Sequence, residues 1–331
     1  LKGMRIRIGD GLYRMGIGGL HSTEGCSVHV ADERYRIFDK DVRGYYPNLI
    51  LTLKVCPPSM GEAFFLTFSD LVARREVAKL QKEIDRDAGL KTSTVSCFGK
   101  LGSKWSTLYF PDGLIHITLT GKLYILMIIE CMEASGISVI STNTDGITLR
   151  CPVGRENLMN AIISAWEITT SLQMEETEYV ALYARDVNSY IAIKKDGSVK
   201  QKGAYSFVGS KKSELEINPT NRICVEAVIA KLTQGIDVRL TIGACHDIRK
   251  FVTIRKVDGG AKYDDELLGK AVRWYYAKGE TRCITYAANG NKVARSQGAR
   301  PVMELPDRLP DDIDYDWYVS EAESILSDVG A

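Results

Sequence analysis

Between residues 136 and 151 the hydrophobic rhythm of the chain predicts two strands. Gly136-Ile137-Ser138-Val139-Ile140 is apolar and β-branched, and Ile147-Thr148-Leu149-Arg150-Cys151 alternates apolar with polar positions. Between them lies Ser141-Thr142-Asn143-Thr144-Asp145-Gly146, where Asn, Asp and Gly supply the backbone geometry of a hairpin connection. Upstream, Thr118 to Ala134 is a long apolar run with Leu119, Leu123, Leu126, Met127 and Glu130 at helical spacing, which predicts a core helix leading into the hairpin. Downstream, Asn157 to Leu172 reads as an amphipathic helix containing Trp166. Tyr179 to Arg185 and Tyr190 to Lys194 read as strands, with Asp196-Gly197 turning the chain into Val199-Lys200-Gln201-Lys202-Gly203.

The remaining pattern fills in around this centre. Residues 1–36 alternate apolar with polar and carry many glycines, as in Gly16-Ile17-Gly18-Gly19-Leu20-His21, which predicts short strands and turns. A strand ends at Asp41, and Pro47 permits a helix just after it. Ser69 to about Asp87 is helical, Gly89 interrupts, and Leu90 to Gly99 is helical again; residues 101–117 read as strand and turn. In the last third, helices are expected over Ile223 to Leu232 and Ile236 to Phe251, and the acidic run Asp311 to Tyr318 caps a final helix. An antiparallel sheet with helices on one face is the natural packing of this order, an α+β fold.

Composition narrows the chemistry. The 331 residues suggest two or three packed units, and 45% hydrophobic with 26% charged residues is ordinary for a soluble globular protein. A net charge of +1 leaves any nucleic-acid surface to local clusters. Eight cysteines without a C-x-x-C pair, and four dispersed histidines, point away from a zinc site or a disulfide framework and toward reduced thiols in a cytoplasmic compartment. The most apolar stretch, Leu123 to Met132, is about half of a bilayer span and includes Glu130, so no membrane partner is expected. No signal peptide is visible, and the start at Leu1 carries the expectation of a fragment or a processed product.

Three places could carry chemistry. The rigid hairpin tip can present the Asp145 carboxylate. Asp41 stands at a strand end before a turn that exposes backbone N–H groups, a place for a metal and a phosphate or an ordinary strand-to-helix turn. Arg75 and Lys79 share a helix face, and with Lys91 from the next helix they would form a cleft suited to a triphosphate; a solvated face with interleaved acids competes equally. Later, Lys211-Lys212, Arg249-Lys250, Arg255-Lys256, Arg273 and Lys278, interleaved with Trp274-Tyr275-Tyr276, suit a nucleic-acid backbone or a solvated face at even odds. His21 stands as a metal-ligand candidate against a structural histidine.

In this order the motifs resemble those of family B DNA polymerases. Asp41-Val42-Arg43-Gly44-Tyr45-Tyr46-Pro47 is similar to the family's D-x-x-S-L-Y-P, Lys91-Thr92-Ser93-Thr94-Val95-Ser96-Cys97-Phe98-Gly99 to K-x-x-x-N-S-x-Y-G, and Asn143-Thr144-Asp145-Gly146 to D-T-D-S. Asn188-Ser189-Tyr190 sits where the family has K-x-Y, and Lys202-Gly203 where a K-G pair follows. The resemblance runs from about residue 35 to 205, with compact fingers most like those of phage enzymes. It implies a palm in two parts (37–68 and 101–205), fingers (69–100), an N-terminal segment joining the palm (1–36) and a thumb with C-terminal region (206–331).

The resemblance also implies a reaction: template-directed addition of dNTPs to a primer 3′-hydroxyl in phage DNA replication, in the bacterial host cytoplasm. Phosphoryl transfer of this kind uses two metal ions roughly 4 Å apart. Asp41 and Asp145 would be the catalytic carboxylates, holding two Mg²⁺ ions (or Mn²⁺) together with the Val42 backbone carbonyl. Backbone N–H groups of Val42 to Tyr46, with Gly44 and Tyr45 among them, would meet the triphosphate that Arg75, Lys79 and Lys91 clamp. Tyr46 takes the place of the ring that excludes ribonucleotides, and Tyr190, Lys202 and Gly203 that of contacts to the primer-template DNA.

This sequence departs from the family at several of these positions. Asn143 replaces the first aspartate of D-T-D-S and brings no charge; Val95 replaces the asparagine of the second motif, Gly44 and Gly146 replace serines, and Asn188 replaces a lysine. These changes motivate a second reading, a weakened or inactive primer-template-binding subunit. A reverse transcriptase would require adjacent aspartates at the tip. Only about forty residues precede Asp41, so a 3′–5′ exonuclease is expected on a missing segment or a separate polypeptide.

Overall fold

Eight residues, Tyr35–Val42, form the strand on which the first half of the fold is assembled. The computed structural model describes residues 3–206 and 220–331. They divide into one unit of residues 1–24 and 30–180 and another of 25–29 and 181–331. In chain order the first half carries β1 (Arg5–Ile8), β2 (Gly11–Met15), β3 (Leu20–Ser22), β4 (Ser27–Val30) and β5 (Tyr35–Val42). Four helices follow, α1 (Tyr45–Thr52), α2 (Glu62–Leu80), α3 (Ile84–Leu101) and α4 (Pro111–Ala134). The hairpin β6 (Ser138–Asn143) and β7 (Gly146–Pro152), α5 (Glu156–Thr170) and β8 (Met174–Asp186) complete it. The strand order is β1-β2-β3-β6-β7-β5-β8, with antiparallel neighbours throughout. This is the expected α+β architecture, an antiparallel sheet flanked by packed helices.

The two faces of the sheet do different things. Paired residues share a face, so Phe38, Val42, Ile147, Leu149 and Cys151 lie on one side, where they join Ile125, Ile129, Met159, Ile163 and Trp166 of α4 and α5 in one core. Asp41, paired with Gly146 on one flank and Glu175 on the other, lies on the opposite side. Midway along β5 both faces are covered: Asp39 and Lys40 are 6% and 5% exposed. Asp39 accepts hydrogen bonds from the Tyr179 hydroxyl and from Thr148 Oγ1 (3.2 Å), and Lys40 pairs with Glu176. Each buried charge therefore has a partner, as burial demands.

Several boundaries differ from the sequence expectation. The break between α2 and α3 falls at residues 81–83, and Gly89 lies inside α3. Lys82 adopts φ 58°, and the N–H groups of Glu83 and Lys82 return to the carbonyls of Ala78 (2.9 Å) and Lys79 (3.2 Å). That is a Schellman ending with lysine where glycine is usual. Residues 101–117 contain no strand; α4 begins at Pro111, its first position, where the missing N–H costs nothing. By length and composition α4 could cross a membrane, yet it is a core helix, with Ile117, Ile125, Ile128, Ile129 and Met132 buried. Leu123, counted among its core spacing, is 51% exposed.

In the second half, β9 (Ser189–Lys194) and β10 (Val199–Gln201) form a hairpin through Gly197, at φ 81°. Then come α6 (Arg222–Gln234), α7 (Val238–Gly243), β11 (Thr253–Tyr263), β12 (Glu266–Tyr276), β13 (Thr285–Tyr286), β14 (Ala299–Pro301) and α8 (Tyr315–Asp328). The helix expected over Ile236 to Phe251 stops at Gly243, and a short 3₁₀ turn (Ile248–Lys250) follows. Trp274, Tyr275 and Tyr276 are not a surface: they are 1%, 5% and 2% exposed, in a core with Phe251, Val272 and Tyr318. The Tyr318 hydroxyl donates to the Phe251 carbonyl (2.7 Å) and accepts the Tyr276 N–H (3.0 Å). The acidic tail does cap the last helix, Asp314 accepting the Trp317 N–H at 3.1 Å.

Two substitutions check these assignments by chemical denaturation. A Cβ at Gly89 meets nothing within 4 Å, so Gly89→Ala is expected to stabilise by about 1 kcal/mol in a continuous helix; destabilisation would return the break to Gly89. Trp274→Ala is expected to cost about 3–5 kcal/mol as a core truncation, whereas a surface ring would cost almost nothing.

Candidate active site

Main-chain pairing brings Asp41 and Asp145 to the same end of the sheet. Asp41 is in register with Gly146, and just beyond it the Val42 N–H donates to the Asp145 carbonyl at 2.8 Å. Asp41 is exposed and Asp145 half-buried. The connection between β6 and β7 is only Thr144-Asp145, and its strained residue is neither Asn, Asp nor Gly. Thr144 has φ 64°, and the Asp145 N–H returns to the Asn143 carbonyl at 2.8 Å, a γ-turn. A β-branched residue there is a backbone outlier of the kind that clusters at functional sites.

Neighbours hold this turn in place. The Thr144 N–H donates to the Leu20 carbonyl (2.7 Å), while its Oγ1 lies 3.3 Å from both Asn143 Oδ1 and His21 Nε2. His21 pairs in register with Asn143 across β3 and β6. Its pKa is lowered, first by burial and then by Arg14, against an opposing pull from Glu24. His21 thus braces the tip. Gly146 leaves room for the Asp41 carboxylate: a Cβ there would overlap Asp41 Oδ1, the far end of an exposed side chain, and would push it aside.

The turn after Asp41 feeds α1 as expected, but the helix begins at Tyr45, with Pro47 inside its first turn. Gly44 precedes it at φ 53°, a left-handed position that a serine would strain. Tyr45 is buried. The Tyr46 ring stacks on Phe98 of α3, with centroids 3.8 Å apart and planes 6° from parallel, and its hydroxyl donates to the Gly18 carbonyl at 3.2 Å. Burial, then the Asp145 charge, push the Tyr46 phenol up to about 12. The aromatic positions of the first two motifs are therefore in contact.

The three expected cations do not form an open cleft. Arg75 Nε is 3.2 Å from Asp87, and Lys79 pairs with Glu175. Glu175 also takes Arg43 Nε at 3.0 Å, and Arg43 reaches Glu76 at 3.7 Å. Partial burial raises the Glu175 pKa, but Lys79 and then Arg43 outweigh it and hold the carboxyl below its ordinary value. Lys91 is exposed on α3. Glu175, directly across from Asp41, lies outside the strand that the sequence predicts, which begins only at Tyr179; the polar run Glu175-Glu176-Thr177-Glu178 carries no strand signal.

Tyr190, Lys202 and Gly203 lie in the second unit. The Lys202 N–H donates to the Tyr190 carbonyl at 3.0 Å. Gly203, at φ 61°, sits so close to the Asn188 carbonyl that a Cβ would overlap it. The later basic residues are mostly engaged locally: Arg249 with Asp247, Lys250 with Glu226, Arg255 with the Ala294 carbonyl, Arg273 with the Met303 carbonyl. With the aromatics buried, the expected basic and aromatic surface does not form there. Lys211-Lys212 lies outside the described residues.

Among the described residues no group of three or more His, Cys, Asp or Glu side chains is placed to hold a metal. The donors at the sheet end nonetheless fit a hard cation, since Asp41 and Asp145 offer only oxygen. Mg²⁺ is commonly held by one or two carboxylates plus substrate phosphates rather than by an all-protein cage.

No protein-family model matches the chain. The fold is similar to that of the family B DNA polymerase from the hyperthermophilic archaeon Pyrobaculum calidifontis, with a TM-score of 0.54 and 13% identity over 93% of this chain and 46% of that one. DNA polymerase 1 of Pyrococcus abyssi is 24% identical over 207 residues, covering 50% of this chain and 27% of that protein. The chain spans less than half the length of either.

Two measurements follow. Gly146→Ser is expected to displace the Asp41 carboxylate with less than about 1 kcal/mol lost in stability, since the added atom meets only the end of an exposed side chain; a larger loss would mean that Asp41 is held and cannot move aside. The Glu175 pKa is depressed, so its ties to Lys79 and Arg43 are fully present above the unfolded value and are lost as pH falls through the folded one. Titration of the Glu175 carboxyl by NMR should give a midpoint below the ordinary 4.5; a midpoint at or above it would remove the tie.

Proposed function

We propose that this chain is the polymerase core of a family B DNA polymerase, adding dNTPs to a primer 3′-hydroxyl under template direction. In this reading residues 37–68 and 101–205 are the palm, 69–100 the fingers and 206–331 the thumb with the C-terminal region. The observation that carries it is the pairing of β5 with β7, which brings Asp41 and Asp145 to one exposed sheet end within a fold of polymerase type. The Tyr46–Phe98 stack supports it by joining two of the three motifs in space.

Asp41 and Asp145 would hold two Mg²⁺ ions, which when bound make the 3′-hydroxyl a better nucleophile and offset charge on the triphosphate. The chain's own groups do the positioning. The turn from Val42 to Tyr46 presents backbone N–H groups to phosphate, Lys91 offers an exposed cation, and Lys79 and Arg75 exchange their carboxylate partners for phosphate oxygens. Tyr46, fixed on both its ring and its hydroxyl, excludes a 2′-hydroxyl. DNA primer-template and dNTPs are the partners.

A second reading, a primer-template-binding subunit with little catalysis, is favoured by Asn143 and by the pairing of Arg75 and Lys79 with acids. Primer extension separates the two. The expected outcome is Mg²⁺-dependent extension that falls at least 100-fold in Asp41→Ala and in Asp145→Ala, the scale of losing an electrostatic stabiliser. Asn143→Asp should leave the rate equal or higher. Duplex binding without incorporation would select the second reading, and extension undiminished in both alanine variants would overturn the roles of Asp41 and Asp145.

A further inference from the structure

The glycine loop Gly16-Ile17-Gly18-Gly19 has no part in the chemistry described so far, yet it touches two pieces of the site. It is closed by the Gly16 N–H donating to the Gly19 carbonyl at 2.8 Å. The Gly18 carbonyl accepts the Tyr46 hydroxyl. Gly19 lies against the hairpin tip so tightly that a Cβ would stand 2.5 Å from Thr144 Oγ1, and the next residue, Leu20, accepts the Thr144 N–H. One loop thus sets Tyr46 and the Asp145 turn relative to each other.

The loop is held from beneath by Lys122 of α4. This lysine is 6% exposed, and its Nζ donates to the Gly16 carbonyl at 2.9 Å. Burial lowers its pKa. A lysine stem packed in an apolar helix, with its head on a main-chain carbonyl, is costly unless that carbonyl must be fixed.

Resting on the polymerase reading, we propose that Lys122 is a positioning residue for sugar specificity: by fixing the Gly16–Gly19 loop it fixes the Tyr46 hydroxyl, and with it the ring that faces the nucleotide 2′-carbon. Tyr46→Phe cuts the same chain of contacts one link later without disturbing the buried lysine. Lys122→Met keeps the length of the stem and removes the donor.

Single-nucleotide incorporation of matched dNTP and rNTP, as kcat/KM, tests this in wild type, Lys122→Met, Tyr46→Phe and the double variant. Each single variant should lower the dNTP-to-rNTP ratio by about 10-fold, the worth of one well-placed hydrogen bond. The double should lose no more than the larger single, because both cut one pathway. Amide exchange at Thr144 should quicken in Lys122→Met. An unchanged ratio in either single, or additive losses, overturns the inference, and Lys122→Gln, which removes the charge and shortens the reach to the Gly16 carbonyl, takes the place of Lys122→Met if that variant does not fold. A wild type that incorporates neither nucleotide overturns the polymerase reading instead, a different result from incorporation with selectivity intact.

Discussion

The antiparallel pairing of β5 with β7 is the constraint on which the candidate site depends. Because side chains alternate along a strand, a slip of one residue would carry Asp41 to the helix-packed face and Phe38 away from it. The core under Phe38, Val42, Ile147 and Leu149 therefore specifies the register, and the register puts Asp41 beside Gly146. The hydrogen bond from the Val42 N–H to the Asp145 carbonyl extends that pairing to the turn itself. Hydrophobic burial on one face thus fixes carboxylates on the other.

The electrostatics around this centre are balanced rather than open. Arg43, Arg75 and Lys79 each meet a carboxylate, from Glu175, Asp87 and Glu76. These side chains are partly exposed, so each pair is worth little to stability. Their effect is on geometry: each carboxylate fixes the place of the cation that it meets.

Much of the first unit was legible because its signals are local. The strand ending at Asp41, the hairpin around Asn143 and Asp145, and the apolar helix before it each follow from periodicity and turn residues. What was hidden has a physical cause in each case. Lys82 ends α2 in a conformation that sequence habits assign to glycine, so the break was expected at Gly89. Glu175, Glu176 and Glu178 made the first half of β8 look like a polar connection, although each carboxylate there is paired with a cation. Trp274-Tyr275-Tyr276 beside basic residues imitates a nucleic-acid surface, yet the rings fill the second core, an outcome set by long-range packing. At the site, residue types pointed to Asp41 and Asp145 and the motif resemblance to Tyr46, while the support from Lys122, Gly18 and His21 comes from elements remote in sequence.

The stack of Tyr46 on Phe98 has a mechanical side. Tyr46 stands at the start of α1, anchored by the left-handed Gly44 behind it and by its hydroxyl on Gly18, while Phe98 rides on α3. If α3 swings, the anchored ring stays and Phe98 is the one that departs, uncovering a flat aromatic face of Tyr46. The stack therefore ties the position of α3 to the turn after Asp41: a shift of that helix is felt first at the Tyr46 ring face.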